Sequence, residues 1–197
     1  KATAPQVALG KLNKPGTCSV VIFGASDDLA HSKLLPTLYD LVEEGIAPEK
    51  FAECGYARRP IQPREMAARA REHIQPHGKG RFVWPEAWGR FESQLRCVQG
   101  DYDDPAAYAR LKQALDEEER ATGAGGNRLF YLAVPPSVFP IALGRLRAAG
   151  LIHPPRSERW SRVVIEKPFG RDLASARELN ALTMSCLDES QVYRIDH

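Results

Sequence analysis

The sequence predicts an α/β fold built on a doubly wound, mostly parallel sheet, and two observations point to it. Apolar or β-rich runs at 18–23, 51–57, 95–98, 128–134 and 161–166 alternate with amphipathic stretches at 28–44, 61–76, 104–121, 137–149 and 172–187. A repeated strand-then-helix order calls for right-handed crossovers and a sheet covered on both faces. The first run, Cys18–Ser19–Val20–Val21–Ile22–Phe23, stops at Gly24, turns through small and acidic residues and enters a helical pattern at Asp28. A buried parallel strand delivers a phosphate to a helix N-terminus in this way, so the turn reads as the dinucleotide-binding turn of a Rossmann-like domain.

The 197 residues, 43% hydrophobic and 26% charged, suffice for one core and one domain. Residues 1–17 carry Lys, Pro and Gly without apolar periodicity and are expected to be a flexible N-terminal segment, leaving 18–197 as the dinucleotide-binding domain. No apolar run approaches the roughly 20 residues that span a bilayer, and residues 1–17 lack the apolar core of a signal peptide. The expectation is a cytoplasmic protein with no membrane partner. Cys18, Cys54, Cys97 and Cys186 form no Cys-x-x-Cys pair or His–Cys cluster and are expected to be reduced core thiols rather than disulfides or metal ligands.

The net charge of +2 says little about partners, but its distribution is uneven. Residues 50–90 hold nine Lys or Arg against four acids, whereas 101–119 hold seven acids against two bases. The basic segment suits an anionic ligand. Without a long basic run or an alternation of basic and aromatic residues, nucleic acid is not the expected partner.

The first helix carries Leu34, Leu35, Leu38, Leu41 and Val42 on one face as core. Pro36, which lacks an N–H and clashes with the preceding turn, is expected to kink or interrupt it, leaving a ligand-facing piece of a turn or two. Gly123–Ala124–Gly125–Gly126–Asn127 reads as a loop, since no Gly-Lys-Ser/Thr follows to make it a phosphate loop. Asp172 is an N-cap for the helix carrying Leu173, Ala176, Leu179 and Leu182. Tyr193–Arg194–Ile195–Asp196–His197 resembles a sixth strand, with Asp196 and His197 at the carboxyl edge, where ligands of open α/β sheets sit.

Within Gly24–Ala25–Ser26–Asp27–Asp28–Leu29–Ala30, Gly24 permits the tight turn and Ala30 lets helix and sheet approach. Asp27 stands where a side-chain-free residue would let backbone N–H groups reach a pyrophosphate; the alternative is a plain turn with Asp27 or Asp28 as cap. The second strand ends in Arg58–Arg59, where an acid would suit a ribose 2′-hydroxyl and an arginine fork suits a 2′-phosphate. Two arginines favour NADP over NAD, against the alternative of solvated surface charge. Lys167, after the strand Val163–Val164–Ile165 and before Pro168, is placed to bind a phosphate or hydroxyl in the cleft or else is a solvated turn residue. Asp196 and His197 are adjacent on an extended chain and point to opposite faces, so this carboxylate does not orient this imidazole.

Taken together, Gly-Ala-Ser-x-Asp-Leu-Ala at 24–30, Gly-Tyr-Ala-Arg at 55–58, Gln-Gly-Asp-Tyr at 99–102, Leu-Phe-Tyr-Leu-Ala-Val-Pro-Pro at 129–136, Glu-Lys-Pro-Phe-Gly at 166–170 and Tyr-Arg-Ile-Asp-His at 193–197 resemble the N-terminal coenzyme domain of the glucose-6-phosphate dehydrogenase family. The resemblance runs from about residue 18 to residue 197, with the motifs in order. It implies NADP as cofactor and the oxidation of glucose 6-phosphate to 6-phosphogluconolactone, the first step of the pentose phosphate pathway. Gly24, Ala25, Ser26, Asp27, Asp28 and Leu29 would line the pyrophosphate turn, Arg58 and Arg59 would hold the 2′-phosphate, and Tyr131, Ala133 and Pro135 would lie along the cofactor. Lys167 would reach cofactor and sugar phosphate, with Pro168 in the cis form; His197 would hold the substrate phosphate.

Asp196 would support a catalytic histidine that the family carries beyond this stretch. The resemblance also implies a second domain docking on an exposed apolar face, a homo-oligomeric complete enzyme, and an isolated chain without dehydrogenase activity. Asp27 departs from the family's glycine and is expected to weaken the cofactor by repulsion and by blocking the backbone. A non-catalytic nucleotide-binding or regulatory module with the same fold is the second reading.

Overall fold

The computed structural model describes residues 15–48, 50–74, 83–123, 125–170 and 172–196. Most of the expected flexible segment at 1–17, and also His197, lie outside the described residues. Six strands form one sheet: β1 (Cys18–Phe23), β2 (Phe51–Ala57), β3 (Leu95–Gln99), β4 (Arg128–Leu132), β5 (Ser161–Glu166) and β6 (Val192–Ile195). Their order is β3-β2-β1-β4-β5-β6 and every pairing is parallel. The chain moves outward from β1 to β3, then returns to lay β4 on the other side of β1. All carboxyl ends share one edge, and the crossovers diverge between β1 and β4, which opens a crevice there. The doubly wound α/β expectation is met.

Helices α1 (Leu35–Glu43), α2 (Pro63–Ile74) and α3 (Pro85–Gln94) lie on one face, and α4 (Pro105–Thr122), α5 (Phe139–Ala148) and α6 (Leu173–Cys186) on the other. Alternation along β1 divides the core: Val20 and Ile22 pack toward α1–α3, whereas Val21 and Phe23 pack toward α4–α6. β1 and β2 are buried along their whole length, which is why their sequences read as continuous runs.

Pro36 interrupts the first helix as expected, and the interruption takes the form of a π turn. Residues Ala30–Leu34 form that turn, Leu35 N–H bonds to the Ala30 carbonyl five residues back, and α1 then begins with Pro36 in its first turn. There an N–H would have no helical partner. Asp172 caps α6 as expected: its carboxylate accepts the Ser175 N–H at 2.8 Å, and Ser175 Oγ accepts the Asp172 N–H at 3.0 Å.

Sequence reading leaves 77–94 without an element, and the structure corrects this with α3. Its Trp88 and Phe91, spaced for one helical face, close on Tyr39 of α1 with ring centroids 5.6 and 5.7 Å apart. The strand predicted at 128–134 ends at Leu132, and the one predicted at 193–197 spans 192–195.

Two buried charges stand out. Arg128, 2% exposed at the amino end of β4, donates to Glu119 of α4 at 2.8 and 3.0 Å and to Asp116 at 2.6 Å. Glu53 lies in the middle of β2, and neither carboxylate oxygen has a hydrogen-bond partner among the described residues. Burial alone holds its carboxyl well above the usual range, favouring the protonated form. The four cysteines are unbridged, and burial pushes the Cys18 and Cys97 thiols to about 11 and that of Cys54 to about 12. Cys18, Cys54 and Cys97 are therefore thiols at neutral pH and serve as packing residues.

Beyond α1 the same sheet face is open. Leu129 and Tyr131 of β4, Val164 of β5 and Ile195 of β6 line a groove of about 570 Å³ with Leu34 and Leu38.

Candidate functional site

The site is assembled where the strands end. Gly24 turns the chain out of β1 with φ +84°, and a Cβ there would lie 2.2 Å from the Ala133 carbonyl oxygen. Only glycine fits both the backbone angle and the close approach of β4. The Gly24 and Ala25 N–H groups both donate to the Tyr56 carbonyl of β2, at 3.0 and 3.2 Å, and the Ala133 N–H donates to Phe23 at 3.1 Å. The end of β1 is thus tied to its neighbours on either side. Ala25 is fully buried with its N–H committed, so of the six predicted turn residues it shapes the turn rather than facing the crevice.

The turn closes with Asp27 N–H on the Gly24 carbonyl at 2.9 Å and Ala30 N–H on the Asp27 carbonyl at 3.2 Å. Leu29, which leads into the π turn, makes no side-chain capping bond. The Asp27 carboxylate reaches Arg59, with Oδ1 3.2 Å from Nη2, and the same Nη2 donates to the Ser26 carbonyl at 3.3 Å. Two motifs more than thirty residues apart in sequence, the β1 turn and the end of β2, are joined by that arginine.

Arg58 extends over the Tyr102 ring, with its guanidinium carbon 5.6 Å from the centroid, and its carbonyl accepts from Gln99 Nε2 at 3.3 Å. Tyr102 is buried beneath it. Burial first, and the Asp27 carboxylate next, push the Tyr102 hydroxyl above its usual range. The loop bearing Tyr102 is fastened by Tyr56, whose hydroxyl donates to the Asp101 carbonyl at 2.8 Å, and by Tyr108, whose hydroxyl donates to the Tyr102 carbonyl at 2.9 Å. Tyr102 lies at the same edge beneath Arg58, and the sequence reading assigns it no role. Its signal was available, because a strand ending at Gln99 puts Asp101–Tyr102 at the ligand edge.

On the other side of the crevice, Ala133 and Pro135 lie on the chain leaving β4. Tyr131 points toward the open face and its hydroxyl donates to Glu166 of β5. Burial, and after it the Glu166 carboxylate, raise the Tyr131 hydroxyl, which therefore stays protonated. The Lys167–Pro168 bond is cis. The Lys167 N–H bonds to the Ile195 carbonyl at 3.3 Å, and its Nζ lies 2.5 Å from Asp196 Oδ2. Lys167 and Asp196 are therefore brought together, and Gly24, Ser26, Asp27, Arg58 and Arg59 form a second group across the crevice. No cluster of three or more His, Cys, Asp or Glu suited to a metal occurs among the described residues. No helix among them is long and apolar enough to cross a membrane.

Residues 21–197 match the family model described as glucose-6-phosphate dehydrogenase, NAD binding domain. The chain belongs to the glucose-6-phosphate dehydrogenase family. Glucose-6-phosphate 1-dehydrogenase 2 of Mycobacterium tuberculosis strain H37Rv is 43% identical over 182 residues, covering 92% of this chain and 35% of the relative. The glucose-6-phosphate 1-dehydrogenase of Chlamydia pneumoniae is 38% identical over 200 residues, covering 98% of this chain and 38% of the relative. Among solved structures, a glucose-6-phosphate dehydrogenase in complex with its substrate glucose-6-phosphate superposes with a TM-score of 0.79 at 32% identity, over 92% of this chain and 37% of that one. The enzyme from Mycobacterium avium gives 0.76 at 33% identity, over 91% of this chain and 36% of that one. This glucose-6-phosphate dehydrogenase family chain thus spans little more than a third of the length of these relatives.

Proposed function

We propose that the chain binds NADP across the carboxyl ends of β1, β2 and β4 and serves as the coenzyme domain of a glucose-6-phosphate dehydrogenase, oxidising glucose 6-phosphate to 6-phosphogluconolactone with NADPH formation. The observation that carries the reading is the meeting of Arg59 with the Gly24 turn, and of Arg58 with Tyr102 beside it, at the carboxyl ends of β1, β2 and β3.

The donor set fits the cofactor. Two guanidinium forks face the place of a 2′-phosphate, and the first helical turn after Asp27 offers backbone N–H groups to a pyrophosphate, since the opening N–H groups of a helix have no partner within it. A bound nicotinamide would supply the acceptor for the hydride of the sugar C1. Lys167, at the end of β5, exchanges Asp196 for the sugar phosphate or hydroxyl and holds the substrate against the cofactor. Asp196 orients the histidine that takes the C1 hydroxyl proton, a residue the family carries past the stretch matched by residue 197; His197 contributes to the substrate phosphate. Ala133 and Pro135 shape the wall along the cofactor, and Tyr131, kept protonated, holds Glu166 in place.

The groove over β4–β6 is the docking face for the remaining length seen in the relatives, and the complete enzyme is a homo-oligomer. A cytoplasmic setting accords with an Arabidopsis thaliana relative, 36% identical, that is named as cytoplasmic. Neither nucleic acid nor membrane is a partner. The test is calorimetric titration of this chain with NADP⁺ and NAD⁺, followed by NADPH formation from glucose 6-phosphate by the complete enzyme. Saturable NADP⁺ binding and turnover are expected, and failure to bind either dinucleotide would overturn the reading.

A further inference from the structure

Dinucleotide folds that accept NAD⁺ hold the adenosine ribose 2′-hydroxyl with an acid at the end of the second strand, and those that accept NADP⁺ put an arginine near it. Here the second strand ends in Gly55–Tyr56–Ala57–Arg58–Arg59–Pro60, with no acid. A carboxylate nevertheless reaches that place from another element. Asp27, in the turn after β1, lies 3.2 Å from the Arg59 guanidinium, which is also anchored on the Ser26 carbonyl at 3.3 Å. Asp27 is close enough to Tyr102, under Arg58, to act on its hydroxyl. The Asp27 and Arg59 side chains are 53% and 72% exposed, so both are open to a ligand and their pairing is readily exchanged.

We propose that Asp27 and Arg59 together read the adenosine ribose and set the preference between the two dinucleotides. With NAD⁺, Asp27 keeps Arg59 and accepts a hydrogen bond from the 2′-hydroxyl. With NADP⁺, Arg59 leaves Asp27 for the 2′-phosphate, and the Asp27 carboxylate then faces a group of about −1.5 to −2 charge. The pair therefore narrows the preference for NADP⁺ that Arg58 and Arg59 alone would impose. This rests on the dinucleotide reading above and adds a specificity-determining residue to it.

The experiment is titration of the intact protein and its Asp27→Gly, Asp27→Asn and Arg59→Ala variants with NAD⁺ and NADP⁺ separately, with circular dichroism melts to check folding. Asp27→Gly is expected to bind NADP⁺ about tenfold tighter and NAD⁺ several-fold weaker, as gain or loss of one charge-assisted contact allows. Asp27→Asn, which keeps the side chain's shape, moves NADP⁺ in the same direction. Arg59→Ala weakens NADP⁺ by a larger factor than NAD⁺, since NADP⁺ loses the partner of its 2′-phosphate whereas NAD⁺ loses only the exposed ion pair that holds Asp27. An unchanged NAD⁺ to NADP⁺ ratio in Asp27→Gly, or parallel weakening of both in a folded variant, overturns the proposal while leaving the dinucleotide reading intact. Absence of binding by the unsubstituted protein overturns both.

Discussion

Lys167 Nζ lies 2.5 Å from Asp196 Oδ2, joining the ends of β5 and β6 through side chains that are 54% and 65% exposed. An exposed pair of this kind contributes about 0–1 kcal/mol to stability, so its significance is positional. Lys167→Ala is expected to change the unfolding free energy by less than about 1 kcal/mol. On the proposed function, turnover of glucose 6-phosphate by the complete enzyme should fall by about 100-fold or more, the usual consequence of losing a preorganised charged contact to the reacting ligand. Urea denaturation and steady-state NADPH formation measure the two separately; a loss of stability that accounts for the loss of activity would reassign the lysine to a structural part.

Arg58 is held against Tyr102 at 5.6 Å, which limits the orientations of its guanidinium before any ligand arrives. Arg58→Ala should weaken NADP⁺ by about tenfold or more and NAD⁺ by much less, because only the former carries the 2′-phosphate. Fluorescence or calorimetric titration with both dinucleotides decides it. Equal losses would place Arg58 in general packing.

Gly24→Ala imposes a left-handed backbone on a residue with a Cβ and drives that carbon to 2.2 Å from the Ala133 carbonyl oxygen. Strain of this kind costs about 1–3 kcal/mol before the clash is added. A reduced urea midpoint together with lost dinucleotide binding is the expected outcome, and a variant of unchanged stability would show that the turn rearranges freely.

Glu53 yields a pH dependence of definite sign. Its folded carboxyl titrates well above the ordinary value of 4.5, by burial alone. Between that value and the folded one the native state binds more protons than the unfolded state, so the group's contribution to stability falls as pH rises through this window. Glu53→Gln mimics the protonated form at every pH. Its urea midpoint should exceed that of the unsubstituted protein at neutral pH, and the gain should shrink toward zero as pH approaches 4.5. A difference independent of pH would mean that Glu53 is not the titrating group.

Features that depend on neighbours in sequence were readable without a structure. The strand runs, the Asp172 cap and the effect of Pro36 follow from backbone chemistry acting over a turn or less. The need for glycine at 24 was readable as well, though not the carbonyl of Ala133 that enforces it. α3 is poorly legible although Trp88 and Phe91 carry its periodicity, because two aromatics beside Gly89 in a short segment opened by Pro85 set a weak helical period.

The sheet class, the edge at which ligands gather and the residue types available there were all present in the linear pattern, since periodicity and strand-end position are local properties. Which side chains meet was decided by tertiary structure. Asp27 with Arg59 is a pair 32 residues apart, Lys167 with Asp196 one of 29, and Tyr131 with Glu166 one of 35. Each joins the ends of neighbouring parallel strands, which a long crossover must separate in sequence. Asp27 shows the difference most clearly. In the linear pattern it is an acid in the path of a pyrophosphate, and only the pairing of β1 with β2 turns its carboxylate toward the arginine at the end of the second strand.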